Sequence, residues 1–319
     1  MTDLAPAWVE WVTDNGLRGA ARADLVAGLV RGGLDPERAA LEVDRVLGSP
    51  IFTAARRAVR RSAGVEQAAR LRRWLDPEPV AEVAALDEAL LHRAFWTANR
   101  PVVFRGGAAA WPAARWTWSG LADRFGPVEV DVLVGRADRA RWWTDREAVT
   151  RRIPFAQLVS TCLSTMGDDV YADGRAGLLA VPELAPLAAD FGTLPGLVGD
   201  GFPRLWVGPA GTVTPVHHDQ STGWLVQLLG HKRVWFASPL EPSLMETTDG
   251  LYNRVDPRAP PADSDVAWHE VVIGPTDAVL VPVGWWHMVV ALEPSISVSM
   301  GGFRWPNVAT WYTPGRAGT

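Results

Sequence analysis

The stretch Thr214-Pro-Val-His-His-Asp-Gln220 carries a histidine and an aspartate, His217 and Asp219, two positions apart in a segment that reads as a strand. Residues two apart on a strand point to the same side, so an imidazole and a carboxylate project together. A second imidazole, His287, follows in residues 279–290, which read as a strand, a Pro/Gly bend and another strand. We therefore expect these three side chains to meet at one site.

Two neutral histidines and one carboxylate are the ligand set of non-haem Fe(II) oxygenases, which leaves other metal positions open for a co-substrate and O2. Simpler explanations exist for each residue. His218 is a ligand candidate by composition, although alternation turns it away from Asp219. His287, in an apolar strand, could be a hydrogen-bonded core histidine, and a Zn or Mn enzyme would use the same three ligands.

A lysine in an apolar strand separates these explanations. Lys232 lies in Gly-His-Lys-Arg-Val-Trp-Phe (residues 230–236), where a buried ammonium group is costly unless an anion pairs with it. Thr214, just before the histidine pair, could bind the same anion through its hydroxyl. A Zn or Mn enzyme leaves Lys232 without a role. A non-catalytic jelly-roll binding module predicts a broken triad or a missing lysine, and the sequence has both intact.

Residues 206–219 and 224–234 resemble the JmjC-type (cupin-8) 2-oxoglutarate dioxygenases, most closely the branch that hydroxylates amino-acid side chains, arginine included, in proteins. Residues 277–287 and 295–299 fit the late strands of that family. The resemblance, over roughly residues 95–305, implies Fe(II), 2-oxoglutarate and O2 as cofactors. It implies iron on His217, Asp219 and His287. It also implies a co-substrate pocket whose residues are Lys232, Thr214, Tyr171 and Ser299.

The same resemblance places Trp206 in a substrate pocket, and two positions depart from the family pattern. Asp173 stands where relatives often have a neutral amide, and Gly223 stands where many have an asparagine. An aromatic face and a carboxylate at one pocket mouth would attract a cation. We therefore expect hydroxylation of an arginine or lysine side chain in a peptide or protein. Hydroxylation of a free amino acid or small natural-product intermediate, and N-demethylation, remain open.

The bulk properties limit the other function classes. A net charge of −5 argues against a protein built to bind nucleic acid. A single cysteine, Cys162, suits a reducing compartment, and the sequence has neither an export signal nor an apolar run of membrane-spanning length. These features predict a cytoplasmic enzyme without nucleic-acid or membrane partners. We also consider a homodimer as its assembly.

The order of patterns predicts a mainly β protein with flanking helices and a small N-terminal helical domain. Residues 1–75 read as a small three-helix unit, Asp76-Pro-Glu-Pro79 as a linker, and residues 76–319 as the cupin-like oxygenase domain. Short strands with Gly and Pro turns between residues 204 and 303 predict a double-stranded β-helix, or jelly roll. Residues 153–163 read as a helix, and residues 241–265 as a long irregular insert between strands.

Overall fold

The computed structural model describes residues 4–138, 142–199, 201–246 and 248–310. By internal contacts the chain divides into two compact units, Met1–Leu75 and Asp76–Thr319.

The first unit contains four helices where the sequence predicted three. Leu25, Leu29 and Val43 are fully buried in its small core. Asp35 caps the third helix by accepting from the backbone N–H groups of Glu37 and Arg38, and a proline occupies the first helical position. The fourth helix is the longest, at 26 residues. The helices are α1 Pro6–Leu17, α2 Arg22–Arg31, α3 Pro36–Leu47 and α4 Pro50–Leu75.

The second unit consists mainly of strands, which confirms the predicted mainly β class. Its strands are β1 Ala81–Val83, β2 Val102–Phe104, β3 Glu129–Leu133, β4 Thr150–Pro154, β5 Arg204–Gly208, β6 Val213–His217, β7 Gly223–Leu229, β8 Lys232–Ala237, β9 Thr248–Asp249, β10 Tyr252–Asn253, β11 His269–Ile273, β12 Ala278–Val281, β13 Trp286–Ala291 and β14 Ser295–Met300. Its α-helices are α5 Glu88–Leu90, α6 Trp118–Phe125, α7 Arg146–Val149, α8 Phe155–Ser164 and α9 Pro242–Glu246.

Twelve of these strands form two six-stranded sheets. The first has the order β1-β2-β12-β7-β14-β5 and the second the order β11-β8-β13-β6-β10-β9. Within both sheets every described pair is antiparallel except β1 with β2. From β5 to β8, and again from β11 to β14, successive strands alternate between the two sheets, as in a jelly roll. The predicted jelly-roll fold is therefore confirmed.

Side-chain alternation decides what fills the space between the sheets. Val234 and Phe236 of β8 pack there with Val279 of β12 in one apolar cluster. Trp235 and Ala237 of β8 belong instead to a cluster on the other face of the second sheet. Lys232 is in step with Val234 and Phe236, so its side chain points between the sheets. The apolar cluster fills part of this interior, and the cavity described below occupies the polar part.

Two local predictions need correction. The helix predicted over residues 153–163 begins only at Phe155, because Ile153 and Pro154 complete β4 by pairing with β3. The segment 241–265, predicted to be irregular, contains helix α9 and two short strands. One of them, β10, pairs with β6 through Tyr252 and His217. Within the described ranges, no helix combines the length and apolar character that crossing a bilayer requires.

Candidate metal centre and co-substrate cavity

His217 and His287 are brought together by strand pairing. They are directly opposite partners on the antiparallel strands β6 and β13, and their ring centroids lie 4.0 Å apart. Asp219 lies two residues beyond the end of β6, and its backbone carbonyl accepts a hydrogen bond from the N–H of Gly284 (2.9 Å). That bond ties the turn after His217 to the bend before His287. The three predicted side chains therefore converge, with one ligand atom from each within 4.8 Å of the others.

The hydrogen bonds of both histidines leave the same nitrogen available. Nδ1 of His217 donates to the carbonyl oxygen of Pro215 (2.8 Å), and Nδ1 of His287 donates to that of Trp285 (2.9 Å). A carbonyl only accepts, so each Nδ1 carries the proton and each Nε2 keeps its lone pair. This is the usual way in which a protein orients a metal-binding histidine.

The charge state of the site also suits a cation. Burial, and next the neighbouring His217, lower the pKa of His287, so the ring is neutral near pH 7. Nε2 of His287 and Oδ2 of Asp219 are 3.8 Å apart. That separation exceeds hydrogen-bonding distance but allows both atoms to bind one ion. The donor set of two imidazoles and one carboxylate fits Fe(II).

His218 takes no part in this site. Its side chain is fully buried, and its ring meets that of Trp286 edge to face, with centroids 4.8 Å apart. Trp286 belongs to the cluster on the outer face of the second sheet, away from the inter-sheet space. The alternation of the strand thus separates the two adjacent histidines as expected.

Beside the triad lies a cavity of about 490 Å³. All nine residues for which a site role was predicted from the sequence line it, namely His217, Asp219, His287, Lys232, Thr214, Tyr171, Ser299, Trp206 and Asp173. Gly223, the departure from the family asparagine, also lines it. A Cβ atom at Gly223 would meet only the carbonyl oxygen of Met300, at 3.6 Å, so the position leaves open space.

Lys232 is the buried cation of the cavity. Its side chain is 3% exposed, and among the described residues no carboxylate pairs with it. Loss of hydration lowers the pKa of the ammonium group to about 7. Of the 31 lysine and arginine residues of the chain, Lys232 is the only lysine. A buried lysine can titrate near neutrality, whereas an arginine cannot.

Two hydroxyl groups accompany the ammonium group. Tyr171 and Thr214 are hydrogen-bonded to each other through their side chains, and Nζ of Lys232 is 5.9 Å from the centroid of the Tyr171 ring. The guanidinium carbon of Arg136, which is buried, lies 4.9 Å from the same centroid. Burial raises the pKa of Tyr171, so its hydroxyl stays protonated. A cation and hydroxyl donors in one dry pocket suit a carboxylate ligand.

Trp206 forms a fixed wall of the cavity. Its Nε1 donates to the hydroxyl oxygen of Ser299 (2.9 Å), which gives Ser299 a partner besides any co-substrate. The ring also lies against the backbone of Gly174, where an added Cβ would be only 2.6 Å from Cζ2 of Trp206. Residue 174 must therefore stay small for the tryptophan to keep this position.

Asp173 lines the cavity, but its charge is already paired. The side chain is 3% exposed, and its two oxygens accept from the guanidinium group of Arg146 at 2.5 and 2.7 Å. The backbone N–H of Arg175 donates to the same carboxylate. The sequence could not indicate this pairing, because Arg146 lies 27 positions earlier on another element.

The sequence analysis missed Tyr252. Its ring stacks on His217, with centroids 5.6 Å apart, and on Trp143 at 4.5 Å, so it supports a triad histidine from the side. Tyr252 lies in the insert that was read as irregular. The Asp249-Gly250 dipeptide just before it is a common signal for a hairpin turn and could have indicated the pair β9–β10.

The fold and the site define a jelly-roll protein with two histidines and one carboxylate placed as a candidate metal centre. Residues 88–301 match the model of the "Cupin-like domain" family, and the chain belongs to that family, among relatives of the JmjC type. It is 36% identical to lysine-specific demethylase 8 of Xenopus tropicalis over 30% of this chain and 24% of that protein.

Two further relatives extend this comparison. Lysine-specific demethylase JMJ30 of Arabidopsis thaliana is 28% identical over 68% of this chain and 52% of its own length. The 2-oxoglutarate and iron-dependent oxygenase JMJD4 of Mus musculus is 28% identical over 34% of this chain and 29% of its own. The matches thus span about half or less of the length of these relatives.

Proposed function

We propose that this chain is an Fe(II)- and 2-oxoglutarate-dependent dioxygenase that hydroxylates an amino-acid side chain in a peptide or protein. The observation that carries the proposal is the buried ammonium group of Lys232, with which no carboxylate of the described residues pairs, in the same cavity as the His217–Asp219–His287 triad. A metal site alone would not need this cation. A dicarboxylate co-substrate that binds iron at one end gives it a partner.

One group of cavity residues would bind the iron and another the co-substrate. His217, Asp219 and His287 would hold the iron, with both Nε2 atoms directed by the Nδ1 hydrogen bonds. Lys232, Thr214 and Tyr171 would bind the far carboxylate of 2-oxoglutarate, and Ser299 would hold Trp206 beside it. When bound, iron and 2-oxoglutarate supply the activation of O2, which yields succinate, CO2 and one oxygen atom inserted into a C–H bond. The protein positions that bond and excludes water.

The proposed substrate residue is arginine or lysine. Trp206 offers an aromatic face to a cationic side chain, and two relatives are named lysine-specific demethylases, which refers to lysine. Asp173 adds little attraction, because Arg146 neutralises it. The same relatives favour N-demethylation as a second candidate, since it differs only in which C–H bond is hydroxylated. A free amino acid would need the same iron and co-substrate site.

Turnover in vitro tests the proposal. The protein is incubated with Fe(II), ascorbate, 2-oxoglutarate and O2, together with peptides carrying Arg, Lys, Asn, His, Pro or N-methyl-lysine. We expect succinate and a mass gain of one oxygen in the Arg or Lys peptide, or loss of methyl from N-methyl-lysine. Asp219→Ala should abolish both signals. Succinate formation that does not depend on Asp219 would contradict the assignment of the metal centre, and oxygen gain only in neutral peptides would contradict the basic substrate.

A further inference from the structure

Two exposed arginines, Arg175 and Arg204, line the cavity together with Trp206. Arg204 is two residues before Trp206 on β5, whose alternate residues Leu205 and Val207 pack into the core on the other face. Arg204 therefore shares the cavity face with Trp206. Its side chain is exposed, and within the described ranges it forms neither an ion pair nor a side-chain hydrogen bond. Its charge is thus available to a ligand.

Arg175 lines the same cavity from a different segment of the chain. It follows Gly174, on whose backbone the Trp206 ring lies, and its Nη2 donates to the hydroxyl oxygen of Tyr252 at 2.8 Å. Tyr252 in turn stacks on His217. The guanidinium group is therefore held beside the candidate metal centre by a partner that carries no charge of its own.

The remaining charges of the site balance one another. Asp173 is neutralised by Arg146, and the ligands Asp219 and 2-oxoglutarate together offset iron and Lys232 in the proposed complex. The excess positive charge of the cavity then lies on Arg175 and Arg204, and it would repel a cationic side chain at Trp206 unless an acidic group of the same substrate offsets it. Around them, the rim exposes apolar surface of Phe202 (72% exposed), Val308 (77%) and Leu251 (37%).

We propose that Arg175 and Arg204 form an anion subsite that binds a carboxylate of the substrate. The bound molecule is a peptide that reaches the iron with one side chain and places an acidic group at the mouth. This inference rests on the proposed function only for the position of the reacting side chain. The exposed apolar rim favours a peptide over a small polar metabolite, because such surface gains from covering by another chain. The carboxylate could be an internal Asp or Glu or a free C-terminus.

A binding selection tests the subsite without knowledge of the substrate. Immobilised protein, held anaerobically with Fe(II) and 2-oxoglutarate, selects from random decapeptides, one half with free and one half with amidated C-termini. Mass spectrometry then identifies the bound peptides. We expect enrichment of carboxylates by about two- to fivefold, the scale of contacts with exposed guanidinium groups, and a decrease as salt is added. Enrichment only in the free-carboxylate half identifies the C-terminus, and enrichment of Asp or Glu in both halves identifies an internal residue.

Matched variants make the outcome specific to these residues. Arg204→Gln should remove the enrichment and Arg204→Lys should retain part of it. Arg151→Gln, at an exposed arginine of β4 that does not line the cavity, should leave it unchanged. No carboxylate enrichment, or enrichment that survives in Arg204→Gln, would overturn the subsite. Iron content and succinate formation, measured separately on the wild-type protein, report on the proposed oxygenase activity, so failure of one proposal is distinguishable from failure of the other.

Discussion

Nε2 of His287 and Oδ2 of Asp219 face each other at 3.8 Å across the space beside His217. Strand register sets the histidine, and the hydrogen bond from Gly284 to the Asp219 backbone sets the carboxylate. Both imidazoles donate a hydrogen bond from Nδ1 to a backbone carbonyl, which leaves the lone pair on each Nε2. A cation bound between the rings would accept both lone pairs.

Removal of the carboxylate should therefore remove the metal. We expect one Fe(II) per wild-type chain under anaerobic conditions. In Asp219→Ala the affinity for Fe(II) should fall by at least about 100-fold. Mutation of residues that only orient a metal ligand lowers metal affinity by up to about that factor, and loss of the ligand itself should cost no less. Metal analysis after dialysis measures this. Asp263→Ala, at an exposed aspartate of the insert, serves as the control and should bind iron normally. Equal iron content in Asp219→Ala would contradict the assigned centre.

Lys232 should control the affinity for 2-oxoglutarate. Loss of one partner of a buried ion pair costs about 3–5 kcal/mol, so Lys232→Ala should weaken binding by about a hundredfold or more while iron binding stays nearly intact. Calorimetry on the iron-loaded protein under anaerobic conditions measures both affinities. Unchanged 2-oxoglutarate binding in the variant would assign the lysine a structural role.

The single lysine also permits a chemical test of the same contact. Reductive methylation with ¹³C-formaldehyde can modify only Lys232 and the α-amino group, since the chain has no other lysine. A pKa of about 7 leaves much of the Lys232 amine neutral and nucleophilic at pH 7.5. We expect 2-oxoglutarate to protect the Lys232 signal in the NMR spectrum and to leave the α-amino signal unchanged. Equal labelling of Lys232 with and without 2-oxoglutarate would place its carboxylate elsewhere.

The affinity for 2-oxoglutarate should depend on pH in a defined direction. The ammonium form binds the carboxylate, and in the free protein its pKa is lowered to about 7. Binding raises that pKa, so affinity is highest at and below pH 7 and falls by up to about tenfold per unit as the pH rises above 7. Calorimetry in buffers of different ionisation heat should detect uptake of a proton at pH 8. Lys232→Arg should flatten the curve, because a guanidinium group stays charged.

A larger residue at position 174 should weaken substrate binding and leave iron binding unchanged. In Gly174→Ala the new methyl group would displace Trp206, at a cost of about 1–3 kcal/mol in stability. We expect a raised KM for the peptide substrate with iron content unchanged. Gly64→Ala, at a helical glycine where an added Cβ meets nothing within 4 Å, is the control and should be neutral or slightly stabilising. An unaltered KM in Gly174→Ala would mean that the substrate does not contact the Trp206 wall.

The sequence alone predicted the residues of the candidate metal centre. The His-x-Asp spacing at residues 217–219, the late histidine His287 and the lysine in an apolar strand were sufficient to predict that these four side chains lie at one site, whereas Tyr171, Ser299, Trp206 and Asp173 followed from the family resemblance. Period-2 alternation explains this success, because it assigns each residue of a strand to a face without knowledge of the sheet partner. It predicted in the same way that His218 faces away from the site.

The features that only the tertiary structure decided are those between segments far apart in the chain. Arg146 neutralises Asp173, Tyr252 supports His217, and Arg175 and Arg204 line one cavity. The neighbouring residues in the sequence determine which face of a strand a residue occupies and whether that face is apolar, so a local stretch of sequence predicts both. The partner of a charged side chain, by contrast, depends on which strands pair and on where the connecting loops lie. Both are determined by the packing of the whole chain.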